Sequence, residues 1–486
     1  MAGMAVPMLP TVIRARQEST PEIALVDQIV IDLPAEPVNI HPAKAYSDIE
    51  WSIVHSVFDA LIGFDESGEI APIAADTFEL IDETSWEVKL RSGMTFHDGS
   101  PVTSDAIVRG FDLVTWSDSL FSDIFGVVDA VEVVDELTAR IIVTEPSPWL
   151  PAQMASSHVL IPENFDPGKP IGSGPFRFEE QRIGEDVSLT RFDDNVSSPI
   201  KGAPIAERVV YHFVPDATTR VSNILSGSSD IASFLPVDSI AAAEEGGSAM
   251  KTSEVAGTWF IRIANDAAPF DDPRVRRALN LALDLDAFVG VLVHEGSQRL
   301  ASLFPPVGMG FDDSLAPFAY DPDAARALLE EAGFGDGIET RMEVSTDASL
   351  PMCEAIVGQW AEVGINVELV VSDLGTFNAG WTDSETPPLR MASWSPVFDP
   401  STLLNLVWRT GGILSRYSNE EADALIEEGA SMFGDERTEA YRQLGTVLHD
   451  DAAGVFLWNL MHVAAVTEKA EAWTPRPDQW IMALAR

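Results

Sequence analysis

Segments with helical periodicity alternate with strand-like segments along this chain, and no short repeat is present. At 272–273 the sequence Asp-Pro places an N-cap residue before a proline at the first helical position, where the missing amide hydrogen costs nothing. The same signal recurs at 321–322, and the glycine stop for that helix is Gly333. The apolar run at 365–371 follows a helical segment containing Trp360, a packing residue, as in a helix-to-strand step. The pattern therefore predicts an α/β fold.

Two further local signals predict secondary structure. The strand-like runs at 131–134 and 139–144 flank a short polar turn, which is typical of a β-hairpin. Ser418 and Glu421 have the spacing of a capping box, which predicts a helix start just before Ala422. These signals concern the fold and carry no chemistry.

The charge of the chain limits its partners. Among 486 residues, 77 are acidic and 30 basic, a formal net charge of −47. Such a field repels phosphates, so nucleic acid is not expected as a partner. The acidic surface has two readings: it keeps the protein soluble, or it steers cationic ligands toward an acidic cleft.

Catalytic and metal-binding patterns are absent from the sequence. It contains no phosphate-binding P-loop, no nucleophile-elbow motif and no zinc-protease motif. The single cysteine, Cys353, permits no internal disulfide, and no histidine stands three to five residues from another. We therefore expect no catalytic residue, no metal and no cofactor. Glycoside hydrolysis, which uses two carboxylates, is the weaker alternative. Carboxylate pairs such as 271–272 are expected by number alone in so acidic a chain and say little about catalysis.

The ends of the chain bear on localisation. Residues 1–20 contain no apolar run of signal-peptide length, and we expect them to be an unstructured segment without a secretion signal. No uncharged apolar stretch of about 18 residues occurs, so a membrane span is not expected.

Seven segments together resemble one protein family, in the same order as in its members. They are 56–62, 86–101, 172–176, 215–220, 269–280, 320–333 and 394–400. The chain is similar in these segments to family 5 of the extracytoplasmic solute-binding proteins of ABC importers, the dipeptide-, oligopeptide- and nickel-binding type. Any one segment could occur by chance, whereas the ordered set is specific.

The resemblance implies a two-lobed α/β fold of the periplasmic-binding-protein type, in its large peptide-binding form with an extra inserted domain. The boundaries carried onto this chain are 21–45, 170–258 and 463–486 for the first lobe, 46–169 for the inserted domain and 259–462 for the second lobe. It also implies an extracytoplasmic monomer that captures a small organic solute and delivers it to membrane-bound ABC permease subunits. The sequence itself leaves a secreted hydrolase and a cytoplasmic sensor as alternatives.

The loop at 394–400 is where this chain departs from the peptide-binding pattern. Peptide-binding members resemble Trp-x-x-Asp-Tyr at this point, and their aspartate takes the ligand's ammonium group. Here Trp394 matches the tryptophan, but Val397 and Phe398 replace the Asp-Tyr pair. Asp399 either substitutes for the missing carboxylate, since residues 397 and 399 of an extended segment point the same way, or caps the turn before Pro400.

Three more aromatic residues are candidates for the ligand site. Trp259 lies at the predicted crossing between lobes, Trp408 follows the loop, and Tyr46 falls where the family's first-lobe loop meets the ligand. A tryptophan face suits a sugar ring as well as a peptide side chain, so an oligosaccharide or another non-peptide ligand is an alternative. For each of the three residues, packing within the fold is the competing interpretation.

Overall fold

The computed structural model describes residues 12–14, 24–196, 198, 200–346, 348–383 and 385–486. The chain forms two compact units. Unit 1 comprises the chain up to Thr252 and again from His462, and unit 2 comprises Ser253–Met461. The chain passes between the units twice, each time within a long strand.

The strands of the described residues are numbered in chain order. They are β1 Val12–Arg14, β2 Val26–Leu33, β3 Ile62–Phe64, β4 Ile70–Pro72, β5 Ala75–Asp82, β6 Ser85–Leu90, β7 Val128–Val133, β8 Thr138–Val143, β9 Phe176–Arg182, β10 Asp186–Arg191, β11 Ala203–Pro204, β12 Ala206–Phe213, β13 Ile231–Ala232, β14 Ala249–Ile263, β15 Ile338–Ser345, β16 Ile365–Ser372, β17 Leu389–Trp394, β18 Gly454–Val466 and β19 Leu484–Ala485. The strands that carry the chain between the units are β14 and β18.

The helices are numbered in the same way. The α-helices are α1 Asp48–Val57, α2 Ser104–Val114, α3 Ser122–Phe125, α4 Leu150–Ser157, α5 Ala217–Ser226, α6 Val237–Glu245, α7 Pro273–Leu281, α8 Pro322–Glu331, α9 Leu350–Glu362, α10 Leu374–Ala379, α11 Ser401–Leu403, α12 Glu420–Ser431 and α13 Gly434–Asp450. Single turns of 3₁₀-helix occur at Asp286–Phe288, Gly380–Thr382 and Glu468–Ala470, and a π-helical turn at Leu404–Trp408.

Unit 1 contains two main sheets. One has the strand order β1-β5-β6-β8-β7 and is antiparallel throughout, while the other includes the order β13-β2-β12-β10-β9 with β2 parallel to both neighbours. Gly172 and Gly174 lie so close to the backbone of Val57 that a Cβ atom on either would fall within 2.7 Å of it. His97 fixes the same loop, because its ring Nε2 lies 3.0 Å from the carbonyl of Gly174. Two segments of the family resemblance, 86–101 and 172–176, are thus in direct contact.

Unit 2 is built on the strand order β16-β15-β17-β14, in which β15 is parallel to β16 and β17 is antiparallel to β14. Strand alternation gives each face its own apolar core. One face carries Ile261, Met342 and Met391 and packs on α7, α8 and α9, while the other carries Phe260 and Ala392 among the hydrophobic side chains of the C-terminal helices.

Several local predictions are confirmed. Asp272 and Asp321 cap α7 and α8, each with proline at the first turn. The predicted hairpin is β7 and β8, and the predicted strand is β16. Trp360 and Cys353 are both fully buried. The ring nitrogen of Trp360 donates to the carbonyl of Leu279 at 2.9 Å.

Two local predictions were wrong. The helix after Ser418 is capped by Asn419, whose side chain accepts from the amides of Glu421 and Ala422 at 2.9 and 3.1 Å. Asparagine is as good an N-cap as serine and stands one residue nearer the helix, so it displaces Ser418. Within the segment expected to be unstructured, residues 12–14 form β1 and pair with β5, while 1–11 and 15–20 lie outside the described residues.

Candidate ligand-binding site

One edge of β17 defines the candidate site in unit 2. On one side β17 pairs with β14 along its whole length, from Leu389 to Trp394. On the other side its pairing with β15 comprises only Met342 with Leu389 and Glu343 with Arg390. Because β15 and β17 separate after this point, the edge of β17 at 391–394 faces a gap. An open strand edge presents backbone donors and acceptors that an extended ligand can use.

A cavity of about 160 Å³ fills this gap. Its lining residues come from β14, β15, β17, α10, the 3₁₀ turn after α10 and the loop before α9, and they are Trp259, Ser345, Ala348, Phe377, Asn378, Trp381, Met391, Ala392, Ser393 and Trp394. The rings of Phe377 and Trp381 meet edge to face, with centroids 5.9 Å apart. Complete ligand sites occupy about 300–1,000 Å³, so this cavity has the size for one side chain or ring of a larger ligand.

The structure brings together two of the predicted site residues. Trp394, the last residue of β17, and Trp259, on β14, both line the cavity and are both partly exposed. They lie on neighbouring strands, where Trp259 is opposite Ser393 and Trp394 is opposite Thr258. The two tryptophans therefore contribute aromatic surface to the same cavity.

Three other predicted site residues are buried in the interior of unit 2. The exposed fraction is 0% for Val397, 5% for Phe398 and 1% for Trp408. Trp408 packs against Phe260 and Phe456, with ring centroids 5.6 and 5.4 Å away. These three side chains therefore pack within the fold and do not line the cavity. Val397 is also held through its backbone, because its amide donates to the carbonyl of Ala256.

Tyr46 belongs to unit 1 and has a 60% exposed side chain. It precedes Ser47, the N-cap of α1, and its amide donates to the carboxylate of Glu50 at 2.8 Å. Its backbone thus has a capping role, and its ring lies in solvent.

Asp399 has a partner within unit 2. Its carboxylate accepts from the guanidinium of Arg437 at 2.5 and 3.0 Å and from the amide of Ser401 at 3.0 Å. Burial acts to raise the pKa of Asp399, but Arg437 and the bonds from Ser401 hold that pKa below its ordinary value. Of the two alternatives for Asp399, the geometry favours the turn cap, strengthened by an ion pair.

Three charged residues beside the cavity carry no sequence motif. Glu343 on β15, Arg390 on β17 and Arg262 on β14 form one cross-strand row. The guanidinium of Arg390 lies 4.3 and 4.6 Å from the ring centroids of Phe377 and Trp381 and donates to the carbonyl of Phe377. From the sequence, strand alternation could have placed each of these residues on one face of its own strand. That they are neighbours follows only from the order of the strands in the sheet.

The residues that the structure describes contain neither a cluster of metal ligands nor a membrane-spanning helix. No group of three or more His, Cys, Asp or Glu side chains there is arranged to hold a metal ion. None of the helices in that part of the chain has the length and apolar character needed to cross a membrane.

Comparison with known proteins identifies the family. The sequence model of bacterial extracellular solute-binding proteins, family 5 (middle region), matches residues 69–415, which is most of the chain. The chain belongs to this family. It is therefore a solute-binding protein of the kind that serves ABC importers, and the family is extracytoplasmic.

Relatives and solved structures agree with this membership. The chain is 24% identical to heme-binding protein A of Haemophilus influenzae, over 91% of this chain and 88% of that one. It is 25% identical to the glutathione-binding protein GsiB of Pectobacterium atrosepticum, over 92% of each.

The fold is confirmed by structural likeness. The protein DppA of Helicobacter pylori, solved in complex with the peptide STSA, has a TM-score of 0.79 at 19% identity and covers 94% of this chain and 98% of its own. The substrate-binding protein CtaP of Listeria monocytogenes has a TM-score of 0.83 at 22% identity, over 93% and 97%. The predicted two-lobed α/β fold of the large peptide-binding type is thus confirmed.

Proposed function

We propose that this protein captures a peptide or a similar polar organic solute and delivers it to the permease of an ABC importer. The observation that carries the proposal is the cavity beside the open edge of β17, lined by Trp259 and Trp394. An extended ligand can pair with such an edge through its backbone while a side chain enters the adjacent cavity. An aromatic wall suits many side chains, as an importer of mixed peptides requires.

The proposed mechanism is closure of two lobes around the solute, and the division of the chain into two units joined by β14 and β18 supports it. A solute that touches both lobes stabilises the closed form by its greater affinity for that form. As part of the proposal, the first lobe takes 21–45, 170–258 and 463–486, the inserted domain 46–169 and the second lobe 259–462. The protein acts as a monomer, with Tyr46 a ligand contact at the start of the inserted domain, next to the first-lobe segment 21–45.

The proposal includes binding without turnover, because no catalytic motif stands in the sequence and family members are substrate-binding transport proteins. Two solved neighbours support a peptide ligand: the DppA complex noted above and the oligopeptide-binding protein AppA of Bacillus subtilis, solved with a nonapeptide. Heme- and glutathione-binding relatives show that ligands vary widely between proteins of this type.

A thermal-shift screen of short peptides, oligosaccharides and amino-acid derivatives tests the proposal. A ligand at a hundredfold excess over its Kd should raise the free energy of unfolding by about 2.7 kcal/mol. Ligand recovered after long incubation should be chemically unchanged. A response to oligosaccharides alone would replace the peptide assignment, and cleaved product in proportion to protein would contradict a binding role.

A further inference from the structure

The row of Glu343, Arg390 and Arg262 contains an imbalance of charge. Arg262 lies directly opposite Arg390 on the neighbouring strand, and like charges in that position repel. Both arginines are buried, with 2% and 0% of their surface exposed. Glu343, 4% exposed, lies 3.3 Å from Arg390 and accepts a hydrogen bond from Ser372.

Arg262 is the member of this row that has no counter-charge among the described residues. The nearby Arg416 is paired with Asp266 at 2.7 Å, and Arg390 is paired with Glu343. Arg262 takes part in none of the described ion pairs. Its Nε and Nη2 atoms are buried and have no hydrogen-bond partner among the described residues, and its Nη1 reaches only the carbonyl of Leu414, at 3.5 Å.

The unpaired atoms of Arg262 form the side edge of the guanidinium. That edge presents two parallel N–H groups, the arrangement that binds a carboxylate in a bidentate manner. Arg390 also has a buried Nε atom without a partner among the described residues. A buried charge without a partner costs several kcal/mol, so an anion placed here would remove a large penalty.

The arginine row adjoins the cavity. Ser345 and Ala392 line the cavity and stand two residues beyond Glu343 and Arg390, hence on the same face and about 7 Å further along each strand. Trp381, another lining residue, has the guanidinium carbons of Arg390 and Arg262 at 4.6 and 5.4 Å from its ring centroid.

The electrostatics agree with this geometry. Burial, together with the positive charges of Arg390 and Arg416, lowers the pKa of Arg262 to about 9, although Asp266 and Glu343 oppose the shift. The local potential is therefore positive, whereas the molecule as a whole carries −47 and repels anions.

We propose that Arg262, with Arg390, binds an anionic group of the captured solute, a carboxylate in size, through the cavity beside Trp381. This inference rests on the proposed function, which it narrows to solutes with an acidic side chain or a terminal carboxylate. The 394–400 loop lacks the aspartate that would bind the ligand's ammonium group. In this proposal the ligand is held by its negatively charged end instead.

Calorimetry with three matched peptides tests the inference. They are the C-terminal amides of Ala-Gln-Ala and Ala-Glu-Ala, and Ala-Gln-Ala with a free C-terminus, and succinate serves as a small anion. Wild type should bind the carboxylate-bearing peptides at least about tenfold more tightly than the neutral amide. Arg262→Gln should remove that preference and leave the neutral amide's affinity within about threefold.

Two further variants separate a ligand contact from a structural role. Glu343→Gln keeps the acceptor for Ser372 but removes the competing charge, so it should tighten the binding of succinate and of the acidic peptide several-fold. Arg416→Gln removes an equal charge that is already paired, and should leave the preference intact. If Arg262→Gln does not fold, Glu343→Gln still tests the inference. Its affinity for the anion should rise if Arg262 is a ligand contact, whereas it should fall if the row has only a structural role.

The outcomes for this inference and for the proposed function are distinct. Equal affinity for acidic and neutral peptides in wild type would overturn the arginine assignment and leave peptide binding standing. If no peptide binds but succinate stabilises wild type and not Arg262→Gln, the assignment stands and the peptide function fails. If neither peptides nor succinate bind, the assignment is wrong.

Discussion

The carboxylate of Asp399 and the guanidinium of Arg437 form a buried ion pair, with two hydrogen bonds at 2.5 and 3.0 Å. Only 6% and 3% of their side-chain surfaces are exposed. Arg437 also donates to the carbonyl of Gly429 and the hydroxyl of Ser401. The pair thus ties the loop after β17 to the start of α13, and this loop directly follows Trp394.

Removing the Asp399 carboxylate should therefore cost stability. We expect Asp399→Ala to lower the free energy of unfolding by about 3–5 kcal/mol, because Arg437 would remain buried without a counter-charge. Urea unfolding measures the change. The matched control is Asp323→Ala, since Asp323 also pairs with an arginine but has a 94% exposed side chain, and little change is expected there. Equal effects of the two substitutions would mean that the Asp399 pair is not the anchor described.

A second prediction concerns acid. Burial lowers the pKa of His462 to about 4, against 6.5 for the free side chain, although Asp478 opposes the shift. On unfolding below pH 6.5 this histidine takes up a proton. The free energy of unfolding therefore falls as the pH falls from about 6.5 toward 4, by at most about 1.4 kcal/mol per pH unit. Burial lowers the pKa of His97 and His158 to about 4 as well, which steepens the loss.

His462→Phe isolates this contribution. The ring stacks on Phe234 with centroids 5.0 Å apart, and neither ring nitrogen has a hydrogen-bond partner in the part of the chain that the structure describes. Phenylalanine should therefore be tolerated and should make the stability less dependent on pH between 6.5 and 4. Phe234→Leu is the control, since it loosens the same stack but keeps the titrating ring. An unchanged slope in His462→Phe would show that this histidine does not contribute.

The sequence predicts well those features whose cause is local. The caps of α7 and α8 and the β7–β8 turn depend on residues at most a few positions apart, and these are confirmed. The partner of Asp399 lies 38 residues away, and no spacing rule connects it with Arg437.

The candidate site was predicted only in part for the same reason. The resemblance placed Trp394 and Trp259 near the ligand, and both line the cavity. It could not separate them from Trp408, because the burial of Trp408 depends on packing against residues distant in sequence, such as Phe260 and Phe456. Arg262, Arg390 and Glu343 are far apart in sequence and meet only because β15, β17 and β14 are adjacent.

A third prediction separates binding from folding with two tryptophans of unit 2. Trp394→Ala should weaken ligand binding by more than about 2 kcal/mol, as expected for an aromatic anchor, and leave the unfolding transition nearly unchanged. Trp360→Ala should instead destabilise the protein by about 3–5 kcal/mol, because that side chain is fully buried. Calorimetry and urea unfolding on both variants measure the two effects. Reversal of the pattern would exchange the two roles.

The last prediction concerns the ligand's amino terminus. By the family resemblance, Val397 stands where an ammonium-binding aspartate is expected, and the carboxylate of Asp399 is already paired with Arg437. A free ammonium group should therefore contribute little, and N-acetylation of a peptide that binds should change its affinity by less than about tenfold, or 1.4 kcal/mol.

Calorimetry with free and acetylated forms of one peptide measures this difference in wild type and in Asp399→Asn. If acetylation weakens binding far more than tenfold in wild type and the penalty vanishes in Asp399→Asn, Asp399 does serve the ligand. Arg437 would then share that carboxylate with the ammonium group. A large penalty that persists in Asp399→Asn would locate the ammonium partner on another carboxylate of this acidic chain. A small penalty in both proteins is the expected result, and it would mean that selectivity resides elsewhere in the site than at the amino terminus.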